Sequence, residues 1–213
     1  MIRMKVKLLV FLPFLLFAAG AFVSCEEVEE EGKYSNWQER NEVFLDSIKV
    51  LAGDRLVGNL EQLERIQEGE MFYIKNDYIS TSATPEYIYC KKLRKNLDGD
   101  RPLYFGSAYV HYYGTLIDGT RFDGTFDGYG ATDRNIPAEL EKEPTAFDTP
   151  VLFNIGSSSL TSGWRQFLQY MHSDERWIVY VPWGSAYGTS GNQNIPGYSV
   201  LTFDVIMTEV VPL

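Results

Sequence analysis

The stretch Val110-His111-Tyr112-Tyr113-Gly114-Thr115-Leu116-Ile117-Asp118-Gly119-Thr120-Arg121-Phe122-Asp123 opens with a run rich in β-branched and aromatic residues. It falls in a strand expected over Ala108–Leu116. Working outward, the same composition marks strands at Met71–Ile74, Tyr87–Leu93, Val151–Ile155, Trp177–Pro182 and Val200–Val211. The last is the clearest. Leu201, Phe203, Val205 and Met207 alternate with Thr202, Asp204 and Ile206, the period of a pleated strand. One short helix, around Trp164–Met171 with Ser162 as its cap, interrupts the strands. Upstream, apolar residues at Trp37, Phe44, Leu45, Ile48, Leu51 and Ala52 form one helical stripe. Ser35 with Gln38, or Asn36 with Glu39, offers it a capping box. Leu56, Val57, Leu60, Leu63 and Ile66 continue at helical spacing beyond Gly53-Asp54, giving one or two helices over 36–68 that pack on the following domain or on a partner. The fold class is therefore α+β.

The chain has 213 residues, enough for one or two domains, and its 45% hydrophobic content supplies a full core. Global disorder and disulfide-scaffold classes are excluded. The formal charge is −10 and no basic stripe is visible, which argues against a nucleic-acid partner. Residues 1–24 read as an export signal: Arg3, Lys5 and Lys7 precede an apolar run from Leu8 to Val23 that is short for a spanning helix. The signal ends in Phe22-Val23-Ser24-Cys25, similar to a relaxed bacterial lipobox, so Cys25 is expected to carry a lipid and anchor the protein to a membrane. The alternative is an ordinary secretory signal with Cys25 incidental. The leader holds three positive charges and no negative one, so its removal leaves −13. Residues 25–35 read as an acidic linker; Glu26, Glu27, Glu29, Glu30 and Glu31 make it either a solvated tether or a sorting tag for the surface face of the outer membrane. The expected location is the cell envelope, on the periplasmic or the surface face of the outer membrane. With Cys25 lipidated, Cys90 has no partner for an intrachain disulfide, and its β-rich surroundings make it a buried small hydrophobe.

Several motifs fail when tested. Asp123-x-Thr125-x-Asp127-Gly128 opens like a calcium loop, but its twelfth position is Arg134 instead of Glu. Gly184-Ser185-Ala186-Tyr187-Gly188 places its serine one position early for a nucleophile elbow. Gly128-x-Gly130 lacks a third glycine. His111 and His172 stand apart, with no metal-ligand spacing, and read as surface or strand residues. The long stretch from Asp123 to Val151, rich in glycine, proline and charge, reads as a functional or mobile loop.

One constellation survives. It joins the opening stretch to Phe153-Asn154-Ile155-Gly156, Leu160-Thr161-Ser162-Gly163-Trp164, Trp183-Gly184-Ser185-Ala186-Tyr187-Gly188 and Ile195-Pro196-x-x-Ser199-x-Leu201-x-Phe203-Asp204-Val205. In order and spacing these segments resemble the FK506-binding-protein (FKBP-type) family of peptidyl-prolyl cis-trans isomerases, over about 85–210. The resemblance implies a half-open antiparallel sheet wrapped around a short helix, here as an isomerase domain over 69–213 behind the helical segment 36–68. It implies an apolar cleft with Trp164 as floor and Tyr112, Phe122, Phe153 and Phe203 as walls. Leu160, Thr161, Tyr187 and Ile195 would form the rim, and Asp123 a polar contact near the bound amide. The backbone N–H of Thr161 and the hydroxyl of Tyr187 would hold the carbonyls flanking the proline. The sequence departs from the family at Val151, where an aromatic is usual, at Thr161, where isoleucine or valine is usual, and in the length of the loop after Asp123.

The resemblance implies a prolyl isomerase that assists folding of exported or envelope proteins and works without a cofactor or metal. Its partners would be proline-containing peptides or unfolded proteins, with macrolide inhibitors in the same cleft. Two other readings stay open: a non-catalytic peptide-binding or chaperone module on the same fold, and a surface glycan-binding lipoprotein that uses its tyrosines and tryptophans for stacking.

Overall fold

The computed structural model describes residues 32–133 and 135–212. The export signal, Cys25 and the acidic run behind it lie outside the described residues. The elements run α1 (Trp37–Ala52), β1 (Leu56–Val57), α2 (Leu60–Arg65), β2 (Met71–Lys75), β3 (Tyr87–Arg94), β4 (Ser107–Thr115), β5 (Arg121–Gly124), β6 (Val151–Asn154), α3 (Ser162–Leu168), β7 (Arg176–Val181) and β8 (Leu201–Val211). No described helix is long and apolar enough to cross a membrane.

The strands form one eight-stranded sheet in the order β1-β2-β3-β7-β8-β4-β5, antiparallel except where β1 joins β2. β4 pairs with β8 along its whole length, from Ser107↔Val211 to Thr115↔Thr202. Its opposite edge is divided. β5 takes one end at Tyr113–Thr115 and β6 the other at Ser107–Val110. β5 and β6 thus act as two halves of one edge strand, and the stretch 125–150 is an excursion that leaves that edge and returns to it.

Where composition suggests only helix in 36–68, Leu56–Val57 adds a parallel strand to β2. Asn36 caps α1 with its backbone in the left-handed region (φ 50°) and makes no capping bond with its side chain, so neither proposed capping box forms. At the other end Gly53 takes a positive φ of 55° and closes the helix. Trp37, Ile48 and Ala52 are buried as the stripe requires, while Leu51 is exposed. α1 belongs to the same compact unit as the sheet. Ile48 and Ala52 pack on Met71 and Tyr89. Trp37 Nε1 donates to Ser199 Oγ at 2.9 Å, and the buried Asn41 accepts from Val200 N–H at 2.7 Å.

The two faces of β8 explain the rest. Leu201, Phe203, Val205 and Met207 join the main core with Trp164, Phe167 and Leu168 of α3 and with Trp177. Burying a large apolar side chain of this kind contributes about 1.5–3 kcal/mol. The alternate residues Thr202, Asp204 and Ile206 are buried too. They are covered because the excursion folds back over that face. Arg176 of β7 binds Asp204 through Nε at 2.8 Å and Nη2 at 2.6 Å, both residues wholly buried. Tyr129 N–H donates to Asp204 Oδ2 at 2.8 Å, and the guanidinium lies over the rings of Phe126 and Tyr129. Gly128 sits so close that a Cβ there would be 2.7 Å from Asp204 Oδ2. Ile136 and Leu140 pack with Tyr129 on Ile178 and Leu93. The long stretch is therefore a cover on the outer face of the sheet.

Cys90 is free and buried, and burial pushes its thiol upward. His111 stands in β4 with Nδ1 3.0 Å from Thr125 Oγ1, whereas His172 is a half-buried turn residue whose Nδ1 is 3.6 Å from Glu175.

Candidate functional site

The cleft lies between α3 and the concave face of the sheet, with a volume of about 200 Å³. Trp164, 6% exposed, is its floor. Around it stand the rings of Phe203 at 4.7 Å, Phe153 at 5.2 Å and Tyr112 at 5.3 Å, each edge-on or tilted. Phe122 meets Phe203 edge-to-face at 5.5 Å. Such tilted pairs place the positive ring edge on the negative ring face. Gly114 makes this closure possible, since a Cβ there would be 2.7 Å from the Phe122 ring and 3.0 Å from Phe203. Gly163 does the same for the helix. A Cβ at that position would be 2.9 Å from Ser185 O and closer still to Val181 Cγ1. Trp164 Nε1 is buried with no hydrogen-bond partner among the described residues.

α3 begins at Ser162, and its cap is Thr161, whose Oγ1 accepts from Trp164 N–H at 3.4 Å. Ser162, the expected cap, instead donates to Ser185 O at 3.3 Å and accepts from Asn76 Nδ2 at 3.0 Å. The helix ends at Leu168, short of Met171, which is buried in the core. Among the described residues the backbone N–H of Thr161 has no hydrogen-bond partner.

The polar side of the cleft is organised by Asp123. Its Oδ2 accepts from the Tyr112 hydroxyl at 2.9 Å and its Oδ1 from Gly124 N–H at 2.8 Å. Burial, reinforced by the bond and charge of Asp123, pushes the Tyr112 phenol well above its ordinary range. Tyr187 follows the short turn Trp183–Ser185 and is 41% exposed at the rim. Burial and then the charge of Asp123 raise its phenol too, while a bond with the Asn192 side chain opposes the rise. Both phenols are thus neutral O–H donors around physiological pH.

The fold brings Tyr112, Phe122, Asp123, Phe153, Leu160, Thr161, Trp164, Tyr187, Ile195 and Phe203 to one cavity. It does not bring Val151 there. Val151, the first residue of β6, pairs with Val110 and is 39% exposed, outside the cleft lining. Leu201 of the same constellation also lines the cavity, as do Ser159, Asn192 and Asn194, which the sequence does not single out. Asn192 and Asn194 lie between Tyr187 and Ile195, and that bracketing was the available signal. No described residue of 125–150 lines the cleft. Among the described residues no cluster of His, Cys, Asp and Glu could hold a metal ion.

An antiparallel sheet curled over one short helix, with an aromatic cleft between them, defines the α+β domain and its site. The family model for FKBP-type peptidyl-prolyl cis-trans isomerases matches residues 106–208. Over 102 residues the chain is 33% identical to the peptidyl-prolyl cis-trans isomerase Fkbp12 of Drosophila melanogaster, covering 47% of this chain and 77% of that protein. It is 33% identical over 102 residues to a macrophage infectivity potentiator of Trypanosoma cruzi, covering 47% of this chain and 41% of that protein. Identity to the FKBP-type isomerase FkpA of Aeromonas hydrophila is 27% over 145 residues, 68% of this chain and 46% of that protein. The chain thus spans less than half the length of these last two relatives. Among solved structures, FkpA from Escherichia coli aligns over 83% of this chain and 63% of its own, with 21% identity and a TM-score of 0.48. The chain belongs to the FKBP-type peptidyl-prolyl cis-trans isomerase family.

Proposed function

We propose that this protein accelerates cis/trans rotation of Xaa-Pro bonds in exported or envelope polypeptides. The observation that carries the reading is the cleft itself: a Trp164 floor walled by Tyr112, Phe153, Phe122 and Phe203, with the Tyr187 hydroxyl and the unpaired Thr161 N–H at its rim. An amide resists rotation by about 18–20 kcal/mol because rotation breaks its resonance. The planar amide is charge-separated and well solvated by water. An apolar cleft removes that solvation and accommodates the twisted, less polar amide better. Only such differential binding accelerates the step, about tenfold for each 1.36 kcal/mol. In this reading Trp164 supports the proline ring, and the Thr161 N–H and Tyr187 O–H hold the flanking carbonyls. Asp123, oriented by Tyr112 and Gly124, is the polar contact beside the rotating amide. Macrolides of the kind the family binds would compete for the same cleft.

The same reading extends to the address. Residues 1–24 would be removed on export, Cys25 would carry the lipid, and residues 25–35 would tether the domain 69–213 and its helical segment 36–68 to the outer membrane. The sequence features that support this are the charged start, the apolar run and the small residue before Cys25. The test of the activity is a protease-free isomerisation assay on the chain from residue 26, with short Leu-Pro and Phe-Pro peptides. Acceleration that Tyr187→Ala and Asp123→Ala reduce supports the isomerase. A folded protein that binds peptide and leaves the rate at its uncatalysed value makes it a binding module.

A further inference from the structure

The cleft continues past its own rim. Beside it lies a second groove of about 540 Å³, which Tyr34, Thr120, Arg121, Gln193 and Pro196 line in addition. Both cavities share Phe122, Asn192, Asn194 and Ile195, so they are consecutive reaches of one surface. An extended chain advances about 3.3–3.6 Å per residue. A peptide whose proline fills a cleft of about 200 Å³ must therefore carry its neighbouring residues over that shared boundary or away from it.

The second reach differs in chemistry from the first. To the shared Asn192 and Asn194 it adds Thr120, Gln193 and the charge of Arg121, with Phe122 and Tyr34 as its aromatic rings. The guanidinium is held in place: Nη2 donates to Gly124 O at 2.7 Å, and the group lies over the Tyr113 ring at 5.3 Å. An arginine carries five N–H donors, so most remain available. Among the described residues no carboxylate is within ion-pairing distance of Arg121. Asp123, held by Tyr112 and Gly124, lines the cleft and not this groove. Among the described residues that line this groove Arg121 is the charged one, on a chain whose net charge is −10.

We propose that this groove is the subsite for the polypeptide flanking the proline, and that Arg121 makes it select an acidic side chain there. The proposal rests on the isomerase reading of the adjoining cleft. Substrates would then be segments that combine Xaa-Pro with an Asp or Glu a few residues away, on one side of the proline.

The test uses the full chain in detergent and a peptide series in which one Glu is walked through three positions on either side of a constant Leu-Pro pair, each compared with Gln. Isomerisation (kcat/KM) and binding (fluorescence anisotropy) are both measured. At positions on one side of the proline, Glu is expected to exceed Gln by about two- to five-fold, the range of an exposed ion pair. The preference fades with added salt. It falls to about one in Arg121→Gln and persists in Arg121→Lys. Tyr187→Phe slows turnover of every peptide and leaves the Glu/Gln ratio intact. A ratio near one at every position, or one that Arg121→Gln does not change, overturns the subsite. If Glu-dependent binding is present with no acceleration of any peptide, the isomerase reading falls and the subsite stands. If acceleration is normal and Glu has no effect, the reverse holds.

Discussion

Adding one methyl group at Gly163 tests the packing that seats the cleft floor. A Cβ there would lie 2.9 Å from Ser185 O and 3.3 Å from Ser185 Cβ, with Val181 Cγ1 nearer than either. Carbon atoms pack comfortably at about 3.5–4.0 Å. Val181 is 1% exposed, so its methyl has nowhere to go, and α3 must lift from β7. Overpacking of this kind costs about 1–3 kcal/mol, offset by up to about 1 kcal/mol from replacing a helical glycine. The net loss of about 1–2 kcal/mol lowers Tm by about 2–8 °C in a domain of this size. Trp164 follows Gly163 directly, so the floor shifts with the helix, and a displacement near 1 Å reduces kcat/KM by up to about 10²-fold. Val181→Ala removes the obstructing methyl. Alone it costs about 2 kcal/mol in lost burial. Combined with Gly163→Ala it should cost less than the two single changes together, by about 0.5–2 kcal/mol, and should recover part of the activity. Urea unfolding of the four proteins, followed by tryptophan fluorescence, gives the coupling. Additivity, or a Gly163→Ala protein with unchanged kcat/KM, refutes this account of how the floor is held.

Gly128→Ala places a methyl against Asp204 Oδ2 and should release the stretch 125–150 from the outer face, seen as faster amide exchange at Tyr129 with peptide binding in the cleft retained; loss of peptide binding together with exchange would mean that the cover also supports the cleft. Burial opposes ionisation of Glu175, but its bond with His172 and the charge of Lys92 outweigh this and hold the carboxyl below its ordinary value of 4.5. A depressed carboxylate contributes stability that is present above the unfolded value and lost as pH falls through the folded one. Thermal melts should therefore fall off below about pH 4.5. Glu175→Gln should flatten that limb and lower stability at pH 7 by about 3–5 kcal/mol, because Lys92 is left unpaired at 0% exposure. A parallel acid limb in the variant assigns the pH dependence elsewhere. Cys25→Ser should release the protein from membranes or block processing of residues 1–24, read by fractionation and by mass; normal processing with full membrane retention rejects the lipid anchor.

Local pattern marked six of the eight described strands, missing the short β1 and β5, while the aromatic cleft was legible through the family resemblance. The alternation in Leu201–Met207 marks a strand whatever surrounds it, because side chains on a pleated backbone point to opposite faces by covalent geometry. The aromatic residues of the cleft stand in collinear segments with the spacing of a known family, so Tyr112, Phe122, Phe153, Trp164 and Phe203 could be named together before any were placed. The helix caps were a different matter. Thr161 and Ser162 both carry side chains suited to capping α3, and Ser162 is instead engaged by Ser185 and Asn76 from elsewhere in the chain.

Three things were decided only in three dimensions. Val151 and Phe153 stand two residues apart in β6, yet only Phe153 lines the cleft, although Val151 pairs with Val110, nearer to Tyr112 along β4 than the partner of Phe153, Ala108. A charged residue at Asp204 reads as a solvent-facing position in an alternating strand. The register of β7 against β8 puts Arg176 within reach of it, and the pair, together with Tyr129, pins 125–150 to the outer face of the sheet. Asn192, Gln193 and Asn194 are unremarkable loop residues in sequence, and become the join between an aromatic cleft and a polar groove because Ile195 turns inward beside Phe122. Periodicity and composition are properties of neighbours along the chain, and they settle what an element is. Which charges meet, and which rim a loop completes, depends on residues far apart in sequence whose approach is fixed only when the sheet closes.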